Sequence, residues 1–509
     1  MKKFAKYILM LLAAGCVACT VGGEDDNLDA GGEEPDPTPA ITYNLKSFFF
    51  QKTYNKDAML SAVAKPTIGE GKVEVCTPMI IDRTALVATF TTDGGKVYVG
   101  DVEQVSSRTP NDFTNPVTYR VVSETGHATE WVVSVTNTGL PIVVIKTPNN
   151  KSIPPKTEDW LEGTKITIYN ADLTIDYQGE DNIRGRGNST WGFPKKPYAI
   201  KLNSKASILG MPAHKRWVLL ANWLDKTMLR NRVSFEIANQ TDLAWTPRSE
   251  FVEVVLNGVH KGNYLLCEQI KVDKNRVNVD KLTDENPSGG YILELDTYFD
   301  EVFKFRSSYY NMPYMFKDPD EVTDVQYNYL LDYVENFEAS LADDARFAAR
   351  EYVNYIDVDS FIDWWFVHEL ASNPEPHHPK SSYFHKDKDG KITAGPIWDF
   401  DWETFVTYST NTWCIKDFMY YGRLFQDEAF VARVKERWAL LKPRFESVTN
   451  YISSEASRLT PSANINVPMW TIDVVVNQDE KLSYAAAVNR MRNNYAAKLN
   501  WMDKTISSW

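Results

Sequence analysis

"IRGRGNSTWGFPKKPYAIKL", residues 183–202, alternates arginine with glycine, turns through polar residues and ends in an apolar run. Gly185 and Gly187 permit backbone conformations in which successive N–H groups converge on an anion. Arg184 and Arg186 add bidentate donors for an oxyanion. The run "PYAIKL" predicts a strand, with Lys201 as an inward-pointing ammonium that holds further phosphate charge. Lys195 and Lys196 lie beside it. The plainer use of the stretch is a tight hairpin whose arginines pair with surface acids.

A second dense stretch lies two hundred residues on. The helical pattern "VDSFIDWWFVHELAS" stops near Ser372–Asn373, because Pro374, Pro376 and Pro379 cannot continue a helix. Glu375 therefore falls on a loop. "SSYFHKDKDGKITAGPIWDF" then predicts two strands around the turn 387–390, with Asp399 and Asp401 at the end of the second. Regular alternation would put both acids on one face and Trp398, Phe400 and Trp402 on the other. Two carboxylates, with Glu375 and Asn373 on a nearby loop, suit a hard cation such as Mg2+ or Mn2+. His377, His378 and His385 read as parts of a polar loop, since adjacent histidines among prolines rarely converge on one ion.

Between these stretches, "HKRWVLLANWLDKTMLRNRVSFEIANQT" predicts a helix through its centre that buries Leu224, Met228, Val233 and Ile237. Asp225, Thr227, Arg230, Asn231 and Glu236 are its polar positions. Glu236 is a candidate partner for an active-site lysine, or else one of several capping and salt-bridging groups.

The whole chain has 509 residues, too many for one ordinary core, and a formal net charge of -13. That charge argues against nucleic acid as a partner. Residues 1–19 read as a lipoprotein signal peptide: Lys2, Lys3 and Lys6 precede the short apolar run "YILMLLAAG". Cys16 is the expected lipidation site and Cys19 the alternative. Residues 20–41 are acidic and rich in Gly and Pro, as expected of a disordered tether. The expected location is thus lipid-anchored and extracytoplasmic, on the outer membrane or cell surface. Residues 42–140 predict an all-β, immunoglobulin-like sandwich, with turn signals at 93–95 and 124–126. From 141 to 509 strand patterns dominate to about 300 and helical patterns follow, the order of an α+β two-lobed unit. Cys76, Cys267 and Cys414 are too scattered for a disulfide framework or zinc site.

Five segments in order, "RGRGNSTW", "KKPYAIKL", "WVLLANWLDKTMLRN", "GNYLLCEQI" and "GPIWDFDW", resemble the CotH-type kinases over about residues 143–440. The resemblance implies an atypical protein-kinase-like two-lobed fold that transfers the γ-phosphoryl group of ATP, with Mg2+ or Mn2+, to a protein Ser or Thr. By position, Lys201 resembles the lysine that holds nucleotide phosphates, and Asp399 the metal-binding aspartate, with Asp401 sharing the metal. Asn373 and Glu375 fall on the family's catalytic loop, where Glu375 stands in place of the usual aspartate. Two other functions fit the residues: a noncatalytic surface protein binding protein or glycan, and a glycoside hydrolase using Glu375 with Asp399 or Asp401.

Overall fold

The computed structural model describes residues 41–509. The expected signal peptide, both candidate lipidation cysteines and all but the last residue of the expected tether lie outside the described residues.

The N-terminal region is built from strands whose side chains alternate between core and solvent, as in Lys72–Cys76 and Val117–Val122. A four-stranded and a six-stranded sheet share one apolar core. Phe48 meets Tyr119 edge-on at 5.3 Å within it. The turn at 124–126 joins a true hairpin, Val117–Val122 with Ala128–Thr136. The turn at 93–95 does not: the strands on either side of it, Leu86–Thr92 and Lys96–Val99, belong to different sheets. Gly95 makes that crossing possible, at φ +73° with the Val122 carbonyl where a Cβ would sit. Met79 packs with Ile142, Val144 and Val255 in one cluster, so an apolar seam joins this region to the next.

Seven strands then close into a barrel. In spatial order they are Ile142–Lys146, Leu161–Tyr169, Ile175–Gly185, Tyr198–Ile208, Met211–Leu220, Val259–Glu268 and Ser249–Leu256. Parallel pairing of Ile142 with Glu253 and its neighbours closes the ring, so no edge is left unpaired. Side chains such as Ile145, Ile166, Ile200, Trp217 and Val252 fill the interior.

A five-stranded sheet centred on Tyr291–Leu295 follows. Helices Asp324–Ala342, Val358–Ala371, Glu428–Met469 and Tyr484–Ser507 pack into the same core as this sheet. Every residue from Ser360 to Ala371 is buried, so Val358–Ala371 is a central helix without a solvent face. None of the helices among the described residues is long and apolar enough to cross a membrane. The architecture is multi-domain and strongly β-rich, with a closed barrel and C-terminal helices.

Two expectations need correction. The helix expected through the centre of 214–241 occupies only Arg230–Asn239, and Leu224 and Met228 are buried on the loop before it. Asp225 explains this, because its carboxylate takes the backbone N–H groups of Thr227 and Arg230 at 2.8 Å each and so holds a non-helical turn. The second strand of the pair around 387–390 is Ile392–Ala394 and ends five residues before Asp399.

Candidate functional site

A cleft of about 370 Å³ opens between the barrel and the five-stranded sheet. Arg184, Arg186 and Arg216 line it from the barrel, and Glu294 and Asp296 from the sheet. Glu375, Asp399 and Asp401 reach it from loops.

The Gly–Arg turn owes its glycines to packing. Gly187 sits at φ +79°, and a Cβ there would fall 1.9 Å from Thr190 Oγ1. A Cβ on Gly185 would strike the Trp191 ring at 2.5 Å. The backbone amides do not form the expected anion cradle at their first two positions. Gly185 donates to Pro154 O at 2.6 Å and Arg186 to Pro197 O at 3.3 Å. What this loop offers the cleft is side-chain charge. The Arg186 guanidinium lies over the Trp398 ring at 5.2 Å, next to Asp399 in sequence.

The acid pair stands on irregular backbone instead of a strand. Asp399 adopts φ +66°, the left-handed region. Four hydrogen bonds from distant segments and from within the turn hold this shape. Asn231 Oδ1 accepts from Phe400 N at 2.8 Å, and Asn477 Nδ2 donates to Asp401 O at 2.9 Å. Arg230 Nε donates to Thr404 O at 3.2 Å, and Thr404 Oγ1 donates to Phe400 O at 2.6 Å. Strand alternation therefore does not describe the aromatics: Trp398 and Phe400 are buried, but Trp402 is 41% exposed.

The Asp399 and Asp401 carboxyl groups act on one another, and Ser381 Oγ donates to Asp399 Oδ2 at 3.3 Å. Burial raises the pKa of both aspartates; the charge of Asp399 lifts Asp401 further, while Arg186 partly offsets the rise at Asp399. Burial and then the charges of Asp399 and Asp401 push Glu375 up to about 9. Burial also lifts Asp296 to about 6, against hydrogen bonds from Tyr298 N and Ser381 N.

Beyond burial, carboxylate charge raises Glu375 and Asp401 in turn, so the site is short of positive charge, which a divalent cation would supply. Among the described residues no group of three or more His, Cys, Asp or Glu side chains is placed to hold an ion. Asp399 and Asp401 offer two carboxylates in the cleft, so a cation there would need water and ligand oxygens to complete its shell, as Mg2+ accepts. The histidines do not converge. His377 Nε2 contacts the Cys414 carbonyl, and His385 Nδ1 contacts Gly395 O at 3.0 Å.

The other site expectations fare unequally. Lys201 is exposed and does not line the cleft. Ile200 and Leu202 fill the barrel, so Lys201 points outward on the same face as its cross-strand partner Arg216. It stands 6.0 Å from the Trp160 ring, which Arg216 also meets, but two residues beyond Ala199, which lines the cleft. Glu236 also lies outside the lining; it accepts from Gln240 Nε2 at 2.7 Å, one turn along its helix. Asn373 is buried behind the loop, where its Oδ1 accepts the Glu375 N–H at 3.1 Å and shapes the turn that presents Glu375. Lys195 is 1% exposed, with its ammonium on Asn263 O and, at 2.9 Å, on Asn466 Oδ1.

Arg216, Asp296, Ser381 and Asn477 were not singled out as site residues from the sequence. Ser381 sits inside the quoted loop, six residues after Glu375, and Arg216 in the quoted "HKRW". Asn477 carries no local signal at all. Its role follows only from the return of the chain after the helix Glu428–Met469.

Residues 183–502 match the family model described as CotH kinase protein. This chain belongs to that family. Residues 60–135 match a second model, described as SGBP, N-terminal. The inner spore coat protein H of Bacillus subtilis (strain 168) is 25% identical to this CotH-family chain over 223 residues, 43% of this chain and 58% of that protein. The chain thus spans little more than half the length of this curated relative. A solved structure of a candidate glycoside hydrolase from Bacteroides thetaiotaomicron shares 15% identity over 36% of this chain and 53% of its own. Its TM-score of 0.14 is too low to bear on the fold.

Proposed function

We propose that the cleft is a metal-dependent phosphotransfer site of an atypical, two-lobed kinase-like domain, moving the γ-phosphoryl group of ATP to a protein Ser or Thr. One observation carries this reading: Asp399, Asp401 and Glu375 line the same cleft as the arginines of the Gly–Arg loop. In this scheme Asp399 and Asp401 hold Mg2+ or Mn2+, which neutralises phosphate charge. Arg186 adds positive charge beside them, and Glu375 orients the acceptor hydroxyl. Phosphoryl transfer rests mainly on positioning and charge neutralisation, so a glutamate at this position is chemically adequate. Its longer stem is what the test must examine. The lipid anchor at Cys16, or Cys19, and an extracytoplasmic location at the outer membrane or cell surface belong to the same proposal; labelling with radioactive palmitate tests them.

The experiment is transfer from γ-labelled ATP with Mn2+ to a generic protein acceptor, with Asp399→Asn and Glu375→Gln beside wild type. Loss of label in both variants, with nucleotide binding kept in Glu375→Gln, supports the reading. A wild type that binds neither Mn2+ nor ATP by calorimetry would replace it with the binding-protein alternative. The glycosidase alternative, which would pair Glu375 with Asp399 or Asp401, has less support because it gives the arginines of the Gly–Arg loop in the same cleft no role.

A further inference from the structure

The outer face of the barrel carries a charge arrangement that the acid pair does not explain. Arg184 and Arg216 lie on neighbouring parts of that face, and both guanidiniums rest over one indole, Trp160. Their central carbons are 4.4 and 4.9 Å from its ring centroid. A guanidinium stacked on an aromatic ring keeps its N–H fork free for an oxyanion. Gln269 Oε1 takes the Nε–H of Arg216 at 3.2 Å and fixes its direction.

Neither arginine is neutralised. Among the described residues no carboxylate lies within ion-pair distance of Arg184 or Arg216. Elsewhere the rule is the opposite, as Arg248 sits on Glu268 at 2.9 Å and Arg437 on Asp363 at 2.6 Å. Asp318 and Asp320 act on Arg216 only from a distance, and Asp318 already pairs with Lys271 at 3.5 Å. Both guanidiniums are half-buried and line the cleft. Burial lowers the affinity of each for its proton, and the charge of Arg184 lowers that of Arg216 further. Two unpaired, mutually repelling cations on one aromatic platform are stabilised by a ligand with at least two negative charges.

We infer that Arg184, Arg216 and Trp160 form a phosphate-binding subsite on the barrel wall of the cleft, separate from the cation site at Asp399 and Asp401. It depends on the phosphotransfer reading only for the identity of the molecule that brings the phosphate. The cation of the Gly–Arg loop that acts on Asp399 is Arg186, which stacks on a different ring, Trp398. The alternating arginines of "RGRG" thus serve two places: Arg186 the acid pair and Arg184 the platform.

Calorimetric titration of the protein with sodium pyrophosphate in metal-free buffer tests this. Wild type and Asp399→Asn are expected to bind alike, while the Arg184→Gln/Arg216→Gln double variant weakens by about tenfold or more. Trp160→Leu, which frees both guanidiniums from their platform, is expected to weaken binding severalfold while both charges remain. Silence in the wild type, or double-variant affinity within about twofold of wild type, would overturn the subsite. Because no metal is present, failure of the cation site leaves this outcome untouched. Displacement of pyrophosphate by ATP assigns the subsite to the nucleotide's own phosphates. Retention alongside ATP assigns it to the phosphate of a second molecule.

Discussion

Asn477 reaches the backbone on both sides of the candidate cation site: its side-chain amide donates to Asp401 O at 2.9 Å and to Leu224 O at 3.2 Å. Glu480 holds it there by accepting the backbone N–H groups of Val476 and Asn477. The segment between the last two long helices therefore splints the loop that carries the acids. Asn477→Ala would leave two buried carbonyls without this partner, at an expected cost of about 1–3 kcal/mol of stability. Mn2+ affinity should fall by roughly tenfold, the usual scale for removing an outer support of a metal ligand. Chemical denaturation and calorimetry check the two effects separately.

Arg230 ties the same region together by charge. It is buried, pairs with Asp225 and with Asp479 at 2.6 Å, and donates to Thr404 O. Arg230→Met removes the cation and leaves two buried carboxylates, so a loss of about 3–5 kcal/mol is expected in urea unfolding. Restoring neutrality with Asp225→Asn and Asp479→Asn in the Met background should recover a large part of that loss. No recovery would mean that shape, and not charge, holds the turn.

Gly187→Ala places a methyl where Thr190 Oγ1 lies, at a backbone angle that disfavours any side chain. The expected loss is about 1–3 kcal/mol, confined to the Gly–Arg loop. Faster proteolysis at residues 186–193 and a weaker response to pyrophosphate are the readouts. Thr190→Ala in the same background should relieve the steric part.

Lys195 gives stability a pH dependence of definite sign. Burial depresses its pKa from 10.5 to about 7 in the folded protein. Between about pH 7 and 10.5 the unfolded chain binds the proton and the folded one does not, so this group's contribution rises with pH across that window. Below pH 7 both states carry the charge and the contribution is at its minimum. Thermal melting of wild type and Lys195→Met from pH 7 to 9.5 should converge in slope only if Lys195 titrates elsewhere; a shallower rise in the variant is the expected result.

Much of the scaffold could be read from local pattern. "FVEVVLNG", "NYLLCEQI" and "YILELD" are strands, and the apolar run around Trp364 is a buried helix, because period and burial are short-range properties. The sites around Gly185, Glu375 and Asp399 were legible as residue types in dense stretches. Position along the strand was not. Lys201 and its cross-strand partner Arg216 share the outward face of the barrel, yet only Arg216 lines the cleft, and no local mark separates the two. The acids were placed on a strand that in fact stops at Ala394, since what bends the chain afterwards comes from Asn231, Arg230 and Asn477.

The sequence by itself determined that a Gly–Arg turn, a carboxylate loop and a pair of aspartates exist, that β-rich regions precede helical ones, and that the chain resembles the CotH family. Only the tertiary structure decided which charges share the cleft. Side-chain position depends on barrel closure, which gathers Arg184, Lys201 and Arg216 around Trp160 and leaves only the two arginines lining the cleft. The conformation of Asp399 depends on hydrogen bonds that span as many as 174 residues of the chain. Contacts at such separations leave no periodicity for a local pattern to carry.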